Sequence, residues 1–277
     1  MTRNGKVTKT IGLVGGLAMV ALGVAAGTGW SSPPARNGVE YGTAVPMGDG
    51  TARVYIELRD GVPLELGVAL SERALDGLPT HHSPGGIELE PGHMMFFSTP
   101  EMPRTNPTPY RHVFLGWNPG GHAPPGVYDL PHFDFHLYLT ENAEREAIHP
   151  ATDPEFERKA ANHPSAEYAP QGYVAIPGGV PLMGSHWVDP TTPELNGEVF
   201  TKTFLFGSWD GELTFAEPMI TRAYLETRPD YYQRIPLPEK QAQAGWYPTG
   251  YRIRWVEELR EYHIALTDFV WRDAAVN

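Results

Sequence analysis

The stretch from Leu130 to Leu137 reads Leu-Pro-His-Phe-Asp-Phe-His-Leu. Its strict alternation constrains the fold more than any other feature of the chain. Successive side chains on a β-strand point to opposite faces, so Phe133, Phe135 and Leu137 share one face and His132, Asp134 and His136 share the other. Asp is depleted in strands, and aromatic residues opposite it indicate a central strand, where a polar face needs a cavity or partners. One face is therefore read as core and the other as chemistry.

The rest of the chain agrees with a mainly β protein. Gly (30) and Pro (28) each make up about a tenth of the 277 residues without any repeat, which implies many turns between short strands. A chain of this length buries a sizeable core without staples. Cys is absent, so disulfides, thiolate zinc sites and cysteine nucleophiles are excluded, and any metal must be held by His, Asp or Glu. The expected fold is a β-sandwich or barrel-like single domain over residues 39–277, with a few short peripheral helices.

Ahead of it, residues 1–26 read as a signal peptide or an N-terminal anchor. Arg3, Lys6 and Lys9 precede the apolar run Ile11 to Ala26, and Val24-Ala25-Ala26 has the small residues of a cleavage site. Residues 27–38, rich in Gly, Ser and Pro, read as a flexible tether. The expected location is extracytoplasmic, secreted or associated with the cell envelope. Membrane contact would come only through the N-terminal segment, if uncleaved. Without the three basic residues of that segment, 18 basic residues face 33 acidic ones, a net charge of about −15. A charge of this sign disfavours nucleic acid and anionic lipid as partners.

Along the chain, Thr51 to Leu58 and Leu64 to Leu70 read as a hairpin across Asp60-Gly61, and Ser71 to Leu78 as a short helix. Met94 to Ser98 and His112 to Trp117 are strand candidates. Glu141 to Ile148 and Asp153 to Asn162 read as short helices, the second capped by Asp153 with Pro154 at its first position. Thr201 to Trp209 and Leu213 to Glu217 pair across Asp210-Gly211, the strongest hairpin signal in the chain. Pro218 to Thr227 fits strand or helix equally. Tyr251 to Glu257 and Glu261 to Trp271 read as a final long hairpin. No nucleotide-binding glycine loop, nucleophile elbow or His-Glu-x-x-His pair is present, so no nucleotide cofactor is expected.

The polar face of the central strand supplies candidate metal ligands. Positions two apart on a strand are ~7 Å apart and positions four apart ~13.5 Å. One ion can therefore take His132 with Asp134, or Asp134 with His136, whereas taking both His residues requires a bulge or sharp bend. Further donors are needed from elsewhere, and His186 and Glu217 are the candidates. Such a set suits zinc, iron, manganese or copper without choosing between them. His122, central to the Gly- and Pro-rich loop Asn118 to Gly126, and Trp187, beside His186, are placed at the rim as ligand-framing residues. A hydrogen-bonded structural cluster is the alternative reading of the same residues. Ser185 adjoins His186, but nothing around it resembles a hydrolase nucleophile.

The runs Gly120 to His136, Met183 to Asp189 and Phe215 to Thr221, read together, resemble a family of exported prokaryotic proteins whose shared domain has no established activity. The resemblance spans Gly42 to Trp271. It implies an extracytoplasmic β-rich domain and a homo-oligomer. The central strand is also similar to the His-x-His strand of α-type carbonic anhydrases and to the metal strands of cupins, with Asp134 in the middle position and without the cupin spacing of ligands.

The leading expectation is an extracytoplasmic β domain that binds a metal or small ligand through His132, Asp134, His136, His186 and Glu217. Its rival is a non-catalytic, oligomeric envelope protein in which the cluster is structural. Tyr231 and Tyr232, between Pro229 and Pro236, are the candidate assembly surface.

Overall fold

The computed structural model describes residues 36–275. The expected signal segment and all of the tether except residues 36–38 lie outside the described residues. Fifteen strands and three short α-helices are present among them. The strands are β1 (Gly38–Tyr41), β2 (Val45–Met47), β3 (Gly50–Arg59), β4 (Val62–Ser71), β5 (Ile87–Glu90), β6 (His93–Ser98), β7 (His112–Asn118) and β8 (His132–Tyr138). After the helices α1 (Asn142–Glu146) and α2 (Phe156–Ala161) come β9 (Val174–Ala175), β10 (Ser185–Val188), β11 (Lys202–Trp209) and β12 (Glu212–Thr221). Helix α3 (Arg222–Glu226) then precedes β13 (Asp230–Arg234), β14 (Gly245–Val256) and β15 (Glu261–Arg272). No helix among the described residues is long and apolar enough to cross a membrane.

Two antiparallel sheets result. The first runs β1-β3-β4-β15-β14-β13, with β2 paired to β3, and the second runs β5-β6-β7-β8-β12-β11-β10-β9. Their facing sides share one core. Val54, Ile56, Leu66, Val68, Ile253, Ile264 and Leu266 from the first sheet pack with Val113, Leu115, Phe133, Phe135, Leu137, Phe204 and Ile220 from the second. Each set sits at alternate positions along its strand, which is how one face of each sheet becomes the inside of a sandwich. The expected mainly β sandwich is the observed fold.

The hairpins read from Asp60-Gly61 and Asp210-Gly211 form as expected. Both Asp residues take positive φ, 53° and 45°, ahead of glycines at 78° and 92°, the backbone that a two-residue turn between twisted strands requires. The ambiguous segment after Glu217 resolves into both alternatives. Strand β12 continues to Thr221, whose hydroxyl then accepts a hydrogen bond from the Tyr224 N–H at 3.2 Å and starts α3.

Other boundaries move for local reasons. Asp153 does not cap α2 directly. Its carboxylate accepts from the Glu155 N–H at 2.9 Å and from Lys159 at 2.7 Å, so it organises the turn before the helix. The segment after Ser71 closes only a 3₁₀ turn over Glu72–Leu75. Tyr231 and Tyr232 belong to edge strand β13, where they alternate. Tyr231 packs on Tyr251 at 5.9 Å between ring centres and Tyr232 is 48% exposed.

Pro218 lies within β12, between β8 and β11. Proline has no N–H for a ladder, and the pairing of β12 with β8 skips Glu217 and Pro218 while resuming at Met219↔Asp134.

Candidate metal centre

The chemistry gathers on the side of the second sheet turned away from the sandwich core. Strand β8 places Asp134 beside Gly116 of β7 and beside Met219 of β12. The same register puts Glu217 across from His136, since Phe215 pairs with Tyr138 and Met219 with Asp134. On the far side of β12, Leu205 pairs with Glu217 and Gly207 with Phe215. Strand β10 then brings His186 opposite Gly207. Glu217, Met219 and Phe215 therefore share the polar face, while Ala216 and Ile220 point into the sandwich.

His132, Asp134, His136 and Glu217 are buried almost completely. They do not form one five-ligand set. They divide into His122, His132 and Asp134 on one side and His136, His186 and Glu217 on the other. Within each group the potential ligand atoms lie within 4.8 Å of one another. The strand spacing accounts for the division, because His132 and His136 are too far apart along β8 to meet one ion.

His122 both lines the pocket beside these groups and belongs to a donor group. Its loop folds back over the sheet through a hydrogen bond from the His122 N–H to the Tyr128 carbonyl at 3.0 Å. Gly121 makes the approach possible. It takes φ +71°, and a Cβ there would lie 2.0 Å from the Tyr128 oxygen. Trp187 does not line that pocket. Alternation along β10 turns it to the side opposite His186, into the sandwich core, where its indole N–H donates to the Ser208 hydroxyl at 2.9 Å. Ser185 is buried and its hydroxyl donates to the Ile176 carbonyl at 3.3 Å.

The hydrogen bonds around the imidazoles fix what each offers. The Nδ1 atoms of His122, His132 and His136 lie 2.8, 2.7 and 3.2 Å from the carbonyls of Ala123, Leu130 and Phe114. A carbonyl only accepts, so Nδ1 carries the proton in each and Nε2 is left as a lone pair. That arrangement of backbone carbonyl and imidazole is the one that orients metal-binding histidines. Burial lowers the His122 and His136 pKa values to about 4 and that of His186 to about 3, so these rings are neutral at pH 7.

The carboxylates face these lone pairs. His132 Nε2 is 3.2 Å from Asp134 Oδ1, and His122 Nε2 is 3.9 Å from Oδ2. In the second group His136 Nε2 is 3.2 Å from Glu217 Oε1 and His186 Nε2 is 3.7 Å from Oε2. Nε2 of His132 and His136, Oδ1 of Asp134 and Oε2 of Glu217 are all buried without a hydrogen-bond partner. Leaving such atoms unpaired costs about 1–3 kcal/mol each. Two donors held ~2.1 Å from one ion at the tetrahedral angle are ~3.4 Å apart, so the observed separations would fit a shared cation.

The two carboxylates differ in their surroundings. Burial pushes Asp134 up, but its interaction with His132, followed by those with His122 and His136, outweighs burial and holds the acid well below the usual carboxylate range. Asn118 also donates to Asp134 Oδ2 at 2.7 Å and accepts from His93 Nε2 through its own amide oxygen at 2.8 Å. Glu217 has no such support. Burial, reinforced by the negative charge of Asp134, raises its pKa well above the ordinary value.

Both groups open onto one pocket of about 250 Å³. His122, Asp134, His186 and Glu217 line it together with His93, Tyr128 and the apolar side chains of Met95, Met183, Leu205 and Met219. A larger hollow of about 750 Å³ beside Arg111, Glu141 and Lys240 contains none of the donor residues. His93, Asn118 and Tyr128 were not singled out in the sequence. For His93 the available signal was its place two residues before Met95 in a strand. For Asn118 the signal was its alternation with Phe114 and Gly116 at the end of a strand, whereas for Tyr128 there was none, because its place arises from the loop that folds back over the sheet.

No family model, curated protein or solved structure matches the chain. The likeness to an exported family therefore supplies no relative from which a role can be carried over, and the functional reading rests on the site.

Proposed function

We propose that this protein is an extracytoplasmic metal-binding β-sandwich that holds a divalent transition metal with two imidazoles and one carboxylate and presents it to a small ligand in the adjoining pocket. The observation that carries the reading is the set of four buried, unpartnered donor atoms on His132, Asp134, His136 and Glu217, facing one another at ligand-to-ligand distances. A cluster serving only as a hydrogen-bonded brace would have paired these atoms. The extracytoplasmic part of the proposal rests on the basic residues and apolar run at the N-terminus.

Two imidazoles and a carboxylate suit zinc, iron, manganese and copper alike. Three protein ligands leave a coordination position for water or ligand, and a divalent ion lowers the pKa of bound water toward neutrality. The natural chemistry of such a site is addition of activated water to a small substrate.

The test is elemental analysis of the purified protein beside a His136→Ala, His186→Ala variant, followed by removal of metal with a chelator. At least one transition metal per chain is expected, with less in the variant and a lower melting temperature after chelation. Absence of metal after reconstitution with each of the four ions would overturn the proposal.

A further inference from the structure

The two donor groups share no residue, and each has its own two imidazoles and one carboxylate. Each also contains a buried imidazole nitrogen and a buried carboxylate oxygen with no partner. Filling one group leaves the other in the same unpaired condition. Since His122 and Asp134 of one group and His186 and Glu217 of the other line the same pocket, an ion in each would face a common space.

Two divalent ions bring more positive charge than the pocket neutralises. Asp134, Glu217 and Glu90 are the only carboxylates among the residues lining it. The groups are centred roughly 7–10 Å apart along β8, judged from ~3.4 Å per strand residue. That is beyond the ~3.5–4 Å of ions joined through a single oxygen, and suits a ligand with several oxygens. Tyr128 supplies an independent observation. It lines the pocket, is 2% exposed, and its hydroxyl has no hydrogen-bond partner. A phenol of this kind is a donor without an acceptor.

We infer that the pocket holds two divalent ions at once, one in each group, and takes a small polyatomic oxyanion between them, with the Tyr128 hydroxyl donating to it. This rests on the metal-binding reading above and extends it to stoichiometry and ligand class. The Met95, Met183, Leu205 and Met219 side chains would enclose the remainder of such a ligand and keep bulk water from the charges.

The test counts ions and then adds an anion. The full chain is loaded with zinc and its metal content measured by mass spectrometry under native conditions, for the wild type and for Asp134→Asn, Glu217→Gln and the double variant. Two ions, one, one and none are expected. His122→Ala and His186→Ala, which alter more exposed members of each group, repeat the count should a buried carboxamide prevent folding. Calorimetric titration with inorganic diphosphate then compares zinc-loaded and metal-free protein. Binding only to the two-ion form is expected, weakened at least tenfold in each single-ion variant. Tyr128→Phe should retain two ions and bind diphosphate about tenfold more weakly.

One ion in the wild type, lost equally from either variant, overturns the inference while leaving the metal-binding proposal standing. No ion overturns both. Equal diphosphate binding with and without zinc, or an unaltered affinity in Tyr128→Phe, overturns the assignment of the ligand.

Discussion

The two faces of β8 are built by the same alternation and are both buried, yet they end in opposite states. Phe133, Phe135 and Leu137 are enclosed by apolar side chains from both sheets, and every atom there is at rest once the sandwich closes. His132, Asp134 and His136 are enclosed just as fully, but their outer face ends in acceptors directed at acceptors. Burial by itself stabilises the first face and costs the second. The difference shows where a ligand would act: on the face that is buried but not fully hydrogen-bonded.

The largest effect that would sharpen this contrast is on the apolar face. Phe135→Ala should destabilise the protein by about 3–5 kcal/mol, seen as a lowered urea midpoint whether or not metal is present. A cost that disappeared on metal removal would blur the two faces into one. On the polar face, zinc at about a thousandfold over its dissociation constant should add about 4 kcal/mol of stability. The His136→Ala, His186→Ala variant should lose the contribution from its own group.

The legibility of the sequence follows the same division. The alternation at Leu130 to Leu137 and the turns at Asp60-Gly61 and Asp210-Gly211 are local signals, and the strands and hairpins they mark are present. Alternation also showed that His132 and His136 could serve one ion only across a bulge or sharp bend, and the regular pairing of β8 with β7 leaves them in two groups. What it could not supply was the pairing of β8 with β12, separated by more than seventy residues, on which the meeting of Glu217 with His136 depends. The return of the 119–129 loop over the sheet, which brings in His122, had no periodic signature either. Trp187 is the instructive case, because period two places it opposite His186, and reading the pair as neighbours at a rim overlooked the rule used for β8.

Of the two faces of β8, acid should act on the polar one. The depressed folded-state values of His122, His136 and His186, against ~6.5 unfolded, mean that the unfolded chain binds more protons between about pH 6.5 and 4. Their contribution is present above pH 6.5 and is lost as pH falls through 4. Glu217, whose pKa is raised, works in the opposite direction. Chemical unfolding of metal-free protein at pH 7 and pH 4.5 should show a net loss of stability at the lower pH. No loss would mean that the imidazoles are less enclosed than the sheet makes them.

The smallest effect returns to the core. Trp187→Phe removes the hydrogen bond to Ser208 and should cost about 1 kcal/mol. Its metal content should be unchanged, and a change in it would put Trp187 back beside the site.

Pro218 gives the arrangement a mechanical consequence. The ladder between β8 and β12 omits a rung at Glu217 and Pro218, in the middle of the sheet, and the side chains flanking that gap are the ones directed at each other across the seam. An ion gripped by His136 and Glu217 would join the strands where the backbone does not. It would serve as a rivet through a seam left unstitched, so that the load carried between the two halves of the sheet rises and falls with occupancy of the site.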